Sequence, residues 1–423
     1  MEATEEYAHL LDNQDTLAGF RDRFYFLPGQ IYLDGNSLGL LSVPAEAAVL
    51  RVLNEWKTLG VQGWTEAETP WFFLAEELGK QVAPLVGAHP EEVIVANSTT
   101  VNLHQLLATL FQPSGARTKL LTDTLSFPSD RYALDSHLRL RGLEPHTHLC
   151  LVPSSDGFTL SEAEIVEAMT EAIQLIVLPA VLFTSGQLLD MAWLTSEAHQ
   201  RNILIGFDCS HSIGTIPHAL SEWGVDFAFW CHYKYLNNGP GGTGGLYLNR
   251  RHFDKAPGLA GWFSSRKDRQ FDMLPMLEPA FGAGALQIGT PNILSMAPLQ
   301  GSLQLVAEAG LESIRQKSLA LTSYLMALIE AELPDAGFAF ANPREDARRG
   351  GHVALLHPEA TRICKALKAA GVIPDFRPPN VVRLAPVALT TSYTECFQAV
   401  QILRQVMDNR DYLRYETGRG LVA

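Results

Sequence analysis

Lys234 stands at a point in the sequence where a lysine can do covalent chemistry. The apolar run Val225 to Trp230 predicts a buried strand, and Lys234 follows it closely. The glycine-rich stretch Asn238 to Gly245 comes next, so the lysine leaves a strand into flexible backbone. The pKa of a lysine falls readily when its amine is desolvated or lies near other cations. Lys234 is therefore predicted to attack an aldehyde and to hold it as a Schiff base.

Asp208 and the pair Thr99-Thr100 provide two further contacts that an aldehyde cofactor would need. Asp208 ends a strand-like run, and a carboxylate there can keep a pyridinium nitrogen protonated, which preserves the ring as an electron sink. The two threonines begin an apolar-periodic helix predicted over Val101 to Phe111. Unpaired N–H groups and the helix dipole favour a phosphate at such a start. Together with Lys234, these residues predict bound pyridoxal 5'-phosphate.

The elements that carry these residues read as an α/β fold. Strand-like and helix-like segments alternate through the middle of the chain, which is typical of a parallel sheet with crossover helices. The polar clusters follow the ends of strand-like runs, as at Asp208 and before Lys234. Ligands of open α/β sheets bind at that carboxyl edge. The placement of the residues therefore agrees with a binding site.

The length of 423 residues suggests two domains. From about Pro298 the pattern changes to a long helical stretch, Leu299 to Glu332, followed by shorter units. Residues 57–297 are predicted to form a large α/β domain that binds the cofactor. Residues 1–56 and 298–423 are predicted to form a small α+β domain from both chain ends.

Composition narrows the class of protein. A net charge of −14 argues against a nucleic-acid surface, because phosphate binding needs clustered Lys and Arg. The five cysteines include no CxxC pair, which fits a reducing cytoplasm better than a disulfide framework. The acidic start and the lack of long apolar runs predict neither a signal peptide nor a membrane span.

Other patterns in the chain have weaker interpretations. The segment Gly239 to Gly244 matches G-x-G-x-x-G, but the strand-like Leu246 to Leu248 follows where a dinucleotide site needs a helix. Asn97-Ser-Thr99 matches a glycosylation acceptor without a secretory segment. A metal cluster remains a minor alternative without a known ligand spacing. Its members would be Asp208, Cys209, His211, Cys231 and His232.

Several segments, spread over nearly the whole chain, resemble those of the kynureninase family in the same order. They are Tyr32 to Leu40, Thr100 to His104, Phe127 to Asp130, Gly206 to His211, Trp223 to Phe227, Tyr233 to Asn237, Gly261 to Phe263 and Arg383 to Val387. This family belongs to the class V, fold-type I enzymes that use pyridoxal phosphate. The resemblance implies a mostly parallel seven-stranded sheet in the large domain. It also implies hydrolysis of L-kynurenine to anthranilate and L-alanine, in tryptophan catabolism and NAD-related metabolism.

The resemblance also implies roles for individual residues. Lys234 would be the Schiff-base lysine, Tyr233 a phosphate contact and proton donor, and Asp208 the partner of the ring nitrogen. Arg383 would bind the substrate α-carboxylate, for which a bidentate guanidinium is suited. The remaining cofactor contacts implied are Thr99, Thr100, Phe127, Asp130 and His211, and the remaining substrate contacts are Asn36, Trp64 and Gly289.

Trp262 and Thr290 match positions that reach the phosphate from the neighbouring subunit, so the resemblance implies a homodimer with shared sites. Trp64 and Gly289-Thr290 stand where animal relatives that prefer 3-hydroxykynurenine have His and Ser-Asn. This pattern is of the bacterial type and implies that L-kynurenine is preferred, since a hydroxyl is best selected by a group that hydrogen-bonds it. Pro179 replaces a serine that contacts the cofactor in some relatives, and Thr184 or Ser185 is a possible substitute.

Two alternatives stay open. Another class V enzyme, such as a cysteine desulfurase or an aminotransferase, would share Lys234 and Asp208. A desulfurase needs a nucleophilic Cys in a mobile loop, whereas Cys364 lies in a helix-like segment and reads as a buried residue. A non-catalytic protein that binds pyridoxal phosphate is the second alternative, although the presence of Arg383 and Tyr233 argues against it.

Overall fold

The computed structural model describes residues 1–418 and residue 420. Its α-helices are α1 Glu5–Gln14, α2 Val43–Leu59, α3 Gly63–Glu66, α4 Leu74–Val82, α5 Thr99–Leu110, α6 Pro128–Leu140, α7 Pro145–His148, α8 Glu162–Glu167, α9 Met191–Gln200, α10 Leu220–Trp223, α11 Ile293–Ala309, α12 Leu311–Glu332, α13 Ala360–Ala369 and α14 Tyr393–Asp408. Within this described part, no helix is long and apolar enough to cross a lipid bilayer.

The strands alternate with these helices along the first half of the chain. They are β1 Ile31–Tyr32, β2 Val93–Val95, β3 Lys119–Asp123, β4 Leu149–Val152, β5 Ile173–Pro179, β6 Leu204–Asp208, β7 Phe227–Cys231, β8 Gly244–Leu248, β9 Ala339–Phe340, β10 Val353–Leu356, β11 Val372–Ile373, β12 Asp375–Arg377 and β13 Val381–Leu384.

The central sheet has seven strands in the order β2-β8-β7-β6-β5-β3-β4. Strand β8 is antiparallel to both of its neighbours, and the other pairings are parallel. Strands β5, β6 and β7 are almost entirely buried, which explains why they read as continuous apolar runs. The prediction of a mostly parallel seven-stranded sheet is confirmed.

The carboxyl edge of this sheet collects the chemistry-bearing residues. Strand β6 ends at Asp208, which pairs with Phe229 of β7. Strand β7 ends at Cys231, three residues before Lys234, and β2 ends shortly before Thr99 at the start of α5. Parallel strands bring their carboxyl ends to one side, so segments distant in sequence meet there.

Two main hydrophobic cores divide the buried side chains. The first packs helices such as α4, α5 and α11 against the central sheet. The second surrounds a four-stranded antiparallel sheet, in the order β12-β13-β10-β9, and joins Ala8 and Leu33 to helices α12, α13 and α14. Both chain ends thus contribute to the second core. The division into residues 57–297 and residues 1–56 with 298–423 stays a prediction.

The helical stretch predicted from about Leu299 to Glu332 consists of two helices, α11 and α12. Gly310 separates α11 from α12 with φ +77°, a backbone conformation that L side chains rarely adopt. The first helix also begins earlier than predicted, at Ile293. The apolar periodicity continues across Gly310 because both helices pack on their cores, which is why the sequence pattern hid the break.

Candidate active site

A cavity of about 280 Å³ opens at the carboxyl edge of the central sheet. Its lining combines one lysine, one arginine, two aspartates and several hydroxyl and aromatic side chains. The lining residues are Asn36, Ser37, Thr99, Thr100, Phe127, Ser129, Asp130, Phe183, Asp208, Ser210, His211, Tyr233, Lys234 and Arg377. Most of the residues singled out from the sequence therefore share one cavity.

Lys234 is held in the loop between β7 and β8. Its carbonyl accepts a hydrogen bond from the Asn237 N–H, and Asn237 adopts a positive φ that turns the chain. The N-terminal segment covers this loop, since the Gly39 N–H donates to the Tyr233 carbonyl over 2.8 Å. Asn237 also donates from Nδ2 to the Leu40 carbonyl at 3.1 Å. The segment Tyr32 to Leu40 therefore fixes the backbone that carries the lysine.

His211 is the direct partner of the lysine amine. Lys234 Nζ lies 2.9 Å from His211 Nε2. Burial lowers the pKa of His211 well below its usual value, and the charge of Lys234 lowers it further. The imidazole is therefore neutral, and Nε2 accepts a hydrogen bond from the amine. Its Nδ1 is buried without a partner in the described part of the chain.

Two carboxyl groups lie together at the floor of the cavity. Asp208 Oδ1 accepts a hydrogen bond from the Ser210 N–H at 2.8 Å, which orients the carboxylate at the end of β6. Burial raises the pKa of Asp130 well above its usual value, and the charge of Asp208 raises it further. Burial and the neighbouring carboxylate therefore favour the neutral form of Asp130.

Thr99 and Thr100 form the first residues of α5. The N-cap residue Ser98 makes no side-chain hydrogen bond to the helix, so backbone N–H groups of the first turn remain for a ligand. Gly244 lies directly against this start, because a Cβ there would come within 3.0 Å of the Thr99 nitrogen. Tyr233 also lines the cavity, and burial raises the pKa of its phenol well above the usual value.

The walls of the cavity carry an aromatic pair and an unsatisfied amide. Phe127 and Phe183 meet edge to face, with ring centroids 5.2 Å apart. Asn36 is completely buried, and neither polar atom of its side chain has a hydrogen-bond partner in the described part of the chain. A buried unpaired amide costs about 1–3 kcal/mol. A ligand in the cavity would supply the missing partner.

Arg383 lies behind this wall and does not line the cavity. Its guanidinium is fully buried, donates to the Phe183 carbonyl and to Ser37 Oγ, and forms an ion pair with Asp375. Phe183 and Ser37 themselves line the cavity, so Arg383 is one layer removed from it. Arg377, six residues earlier, lines the cavity directly.

Trp64, Trp262 and Thr290 line a different cavity, of about 580 Å³, together with Val61, Thr65, Phe72, Phe263 and Phe271. Gly289, next to Thr290, is exposed. Within one chain these four predicted site residues are therefore not brought to Lys234. Thr184 and Ser185 do not line the Lys234 cavity either. Their neighbour in sequence, Phe183, lines it instead.

Sequence reasoning missed several lining residues, namely Ser37, Ser129, Phe183, Ser210 and Arg377. Ser37, Ser129, Ser210 and Phe183 are direct neighbours in sequence of residues that were singled out, so their positions could have been inferred from the motifs. Arg377 had no such signal, because only the pairing of β12 with β13 brings it beside Arg383.

The donor set of the Lys234 cavity fits pyridoxal phosphate. Lys234 offers an amine for the aldehyde, Asp208 a carboxylate for the ring nitrogen, and the start of α5 donors for the phosphate. The unpaired amide of Asn36 and the unpaired Nδ1 of His211 indicate that the site is shaped for a polar occupant. In the described residues, no group of three or more His, Cys, Asp or Glu is placed to hold a metal ion.

Comparison with known proteins agrees with this cavity. A family model described as "Kynureninase C-terminal domain" matches residues 314–403. The kynureninase of Geobacillus thermodenitrificans is 59% identical over 423 residues, which cover 100% of this chain and 99% of the relative. The chain belongs to the kynureninase family. The kynureninase of Bacillus thuringiensis subsp. konkukian is 60% identical over 420 residues, or 99% of this chain and 98% of that one. The predicted bacterial-type resemblance is confirmed.

Solved structures extend the comparison to the fold beyond the kynureninase family. A C-DES mutant with glycine covalently linked to its PLP cofactor has a TM-score of 0.78 at 18% identity, covering 90% of this chain and 98% of that one. The cysteine desulfurase of Thermococcus onnurineus NA1 has a TM-score of 0.76 at 19% identity, and the match covers 92% of this chain and 98% of that one. At such identities the likeness shows the fold alone, and it confirms the predicted fold-type I architecture.

Proposed function

We propose that this chain is a pyridoxal-phosphate-dependent kynureninase that hydrolyses the Cβ–Cγ bond of L-kynurenine to give anthranilate and L-alanine. The observation that carries the proposal is the cavity that joins Lys234 and His211 to Asp208 and the start of α5. Full-length identity of 59–60% to kynureninases supports the choice of reaction within the fold.

The cofactor, when bound, supplies an electron sink for the carbon next to the substrate amino group. Thr99 and Thr100 would bind its phosphate with N–H groups of the first turn of α5. Asp208 would keep a proton at the ring nitrogen, and Phe127 would provide an aromatic contact for the ring. Asp130 and His211 complete the surroundings, with Asp130 disposed toward its neutral form.

Lys234 moves the proton at the substrate Cα. The neutral His211 supports this role, because its Nε2 accepts a hydrogen bond from Nζ and fixes the direction of the amine. Tyr233 holds its proton because burial raises its pKa, so the phenol is a donor. We assign to it the delivery of a proton to the substrate Cβ after the bond to Cγ breaks. Asn36 has unpaired polar atoms for the substrate.

A homodimer with shared sites completes the proposal. Trp64, Trp262, Gly289 and Thr290 lie on one region of the chain, apart from Lys234, and they would serve the site of the partner subunit. This region carries exposed apolar side chains, among them Val61 and Phe271 of the same cavity lining, which are 80% and 68% exposed. Apolar area of this extent is typical of a protein interface. A small-molecule substrate and a cytoplasmic location belong to the same proposal.

The region also bears on substrate choice. Trp64 packs against Trp71 and Phe263, with ring centroids 5.9 and 6.2 Å away, so it presents an aromatic surface. Such a surface recognises the anthraniloyl ring without selecting an added hydroxyl. L-Kynurenine is therefore the preferred substrate and 3-hydroxykynurenine the poorer one, in tryptophan catabolism and NAD-related metabolism.

A cysteine desulfurase is the nearest alternative, because the fold is shared. Desulfurase chemistry needs an accessible thiolate. Cys364 is 4% exposed within α13, and burial raises its pKa well above the usual value. Cys209, Cys231 and Cys396 are buried as well. Cys150 is partly exposed in β4 but does not line the Lys234 cavity, so neither it nor the four buried thiols favour that reaction.

The test is anthranilate fluorescence after the protein is mixed with pyridoxal phosphate and L-kynurenine. Wild-type protein should release anthranilate, faster from L-kynurenine than the corresponding product from 3-hydroxykynurenine. Lys234→Ala should abolish release, because no other lysine lines the cavity in the described residues. Absence of anthranilate from a wild-type protein that has bound the cofactor would refute the proposed reaction.

A further inference from the structure

Two arginines share one buried carboxylate beside the Lys234 cavity. Strands β12 and β13 are antiparallel neighbours, and their register sets Asp375 opposite Arg383. Asp375 is 1% exposed in its side chain and forms ion pairs with Arg383 and with Arg377, whose Nε lies 2.9 Å from Oδ2. The Asp375 carboxylate therefore lies within ion-pair distance of both guanidinium groups.

The donors of Arg383 are largely committed to the protein. One terminal nitrogen donates to the Phe183 carbonyl, and the other contacts Ser37 Oγ at 3.3 Å and the Asp375 carboxylate. The side chain is 0% exposed. Ser37 and Phe183 stand between this guanidinium and the cavity.

Arg377 is placed differently. It lines the same cavity as Lys234, and its side chain is 27% exposed. Its ion pair with Asp375 uses Nε, which leaves the two terminal nitrogens of the guanidinium for a ligand. In the described residues, Arg377 and Lys234 are the only Lys or Arg side chains of the lining. The positive charge of Arg377 reaches the site, since it contributes to the lowered pKa of His211 after burial, Lys234, Arg383 and His352.

We infer that Arg377 is a further substrate-binding residue, whose terminal nitrogens bind the α-carboxylate, with Asp375 as the positioning residue that holds it beside Arg383. The inference rests on the proposed function for the identity of the substrate. The amino group of an amino acid must reach Lys234, and its carboxylate is attached to the same carbon. A cation that lines the same cavity, as Arg377 does, is therefore placed to receive this carboxylate.

The test compares ligands that differ only in the carboxylate. The holoenzyme is titrated with L-alanine and with ethylamine, and binding is read from the visible absorbance of the cofactor. Arg377→Gln should weaken L-alanine binding by about 10- to 100-fold, as expected for loss of a charge-assisted hydrogen bond, and leave ethylamine unchanged. The Arg377→Lys variant should bind L-alanine more weakly than the wild type and more tightly than Arg377→Gln. Lysine keeps the positive charge but loses the bidentate hydrogen-bonding geometry of the guanidinium.

Arg362→Gln is the matched control. Arg362 has a similarly exposed side chain, 25%, and pairs with Glu359 on the surface of α13. This variant should bind both ligands like the wild type. In turnover assays, Arg377→Gln should raise the KM for L-kynurenine more than it lowers kcat. The cofactor affinity and the melting temperature of Arg377→Gln should match those of Arg362→Gln.

Three results would overturn the inference: equal weakening of L-alanine and ethylamine, unchanged binding of both, or a loss of cofactor affinity without a change in the L-alanine to ethylamine ratio. The last would assign Arg377 to the cofactor phosphate. Failure of the proposed function would show itself separately, as wild-type protein without anthranilate release. The titrations need no turnover and would still report on Arg377.

Discussion

Asp34 is a partly buried carboxyl whose Oδ1 is shielded from solvent, and the charges of Arg383 and Arg377 act on it. Burial, followed by the charge of Asp375, raises the pKa of Asp34 to about 6 against the opposing effects of Ser37, Arg383 and Arg377. The folded state thus favours the protonated form. Its contribution to stability is complete below the pKa of the unfolded chain, near 3.8, and is lost as the pH rises through about 6.

Asp34→Asn should therefore gain stability relative to the wild type as the pH rises. The expected gain in the free energy of unfolding between about pH 4 and about pH 7 is on the order of 2 kcal/mol, after a discount for partial solvent access. Urea unfolding of both proteins at the two pH values measures it. A difference that does not depend on pH would show that Asp34 ionises normally in the folded protein.

At the scale of single residues, sequence reasoning found those whose neighbours in the chain already signal chemistry. Lys234 follows an apolar strand, and Asp208 ends one. Arg377 was missed because it sits among prolines with no local pattern. The role inferred for Arg377 depends on its neighbours Asp375 and Arg383, which come together only through the pairing of β12 with β13.

At the scale of elements, the start of α5 depends on its close approach to β8. A Cβ on Gly244 would meet the Thr99 nitrogen, Asn102 Nδ2 and the Trp230 carbonyl, each at 3.0 Å. Gly244→Ala should push the first turn of α5 away from the cavity and weaken cofactor binding by about tenfold, the lower part of the range for overpacking. Equilibrium titration of the apoprotein with pyridoxal phosphate measures the effect.

Gly284→Ala is the matched control, since its Cβ would meet only Ala280, at an ordinary 3.7 Å. It should bind the cofactor like the wild type. Equal affinity of the Gly244 variant and this control would argue that the helix start does not bind the phosphate.

The elements also show why sequence patterns predicted one sheet better than the other. Strands β5, β6 and β7 are buried on both faces, so their apolar runs are visible in the sequence. Strands β1, β9 and β11 have two residues each, too few for a periodic pattern. Their pairing is set by tertiary packing around the second core.

At the scale of the whole molecule, the separation of Trp262 and Thr290 from Lys234 predicts complementation between subunits. Lys234→Ala removes a residue of one subunit's own site, and Trp262→Ala removes a residue given to the partner. Each variant alone should be nearly inactive. After the two are mixed and allowed to exchange subunits, about a quarter of wild-type activity should return, since half of the dimers then hold one intact site out of two.

The control mixes Lys234→Ala with Asp208→Asn, two changes within the same cavity, and no hybrid dimer of these can hold an intact site. Recovery in this control, or none in the first mixture, would contradict shared sites. The sequence could imply this arrangement only through family resemblance, because residues that meet across two chains leave no spacing pattern in one.

Hydrolysis of a carbon–carbon bond in this cavity is tested by the mass of the products after reaction in ¹⁸O-labelled water. Equal amounts of anthranilate and L-alanine should form from L-kynurenine, with one ¹⁸O incorporated into the anthranilate carboxylate and none from the cleavage step into alanine. Cleavage of a different bond, or anthranilate without the label, would rule out this reaction.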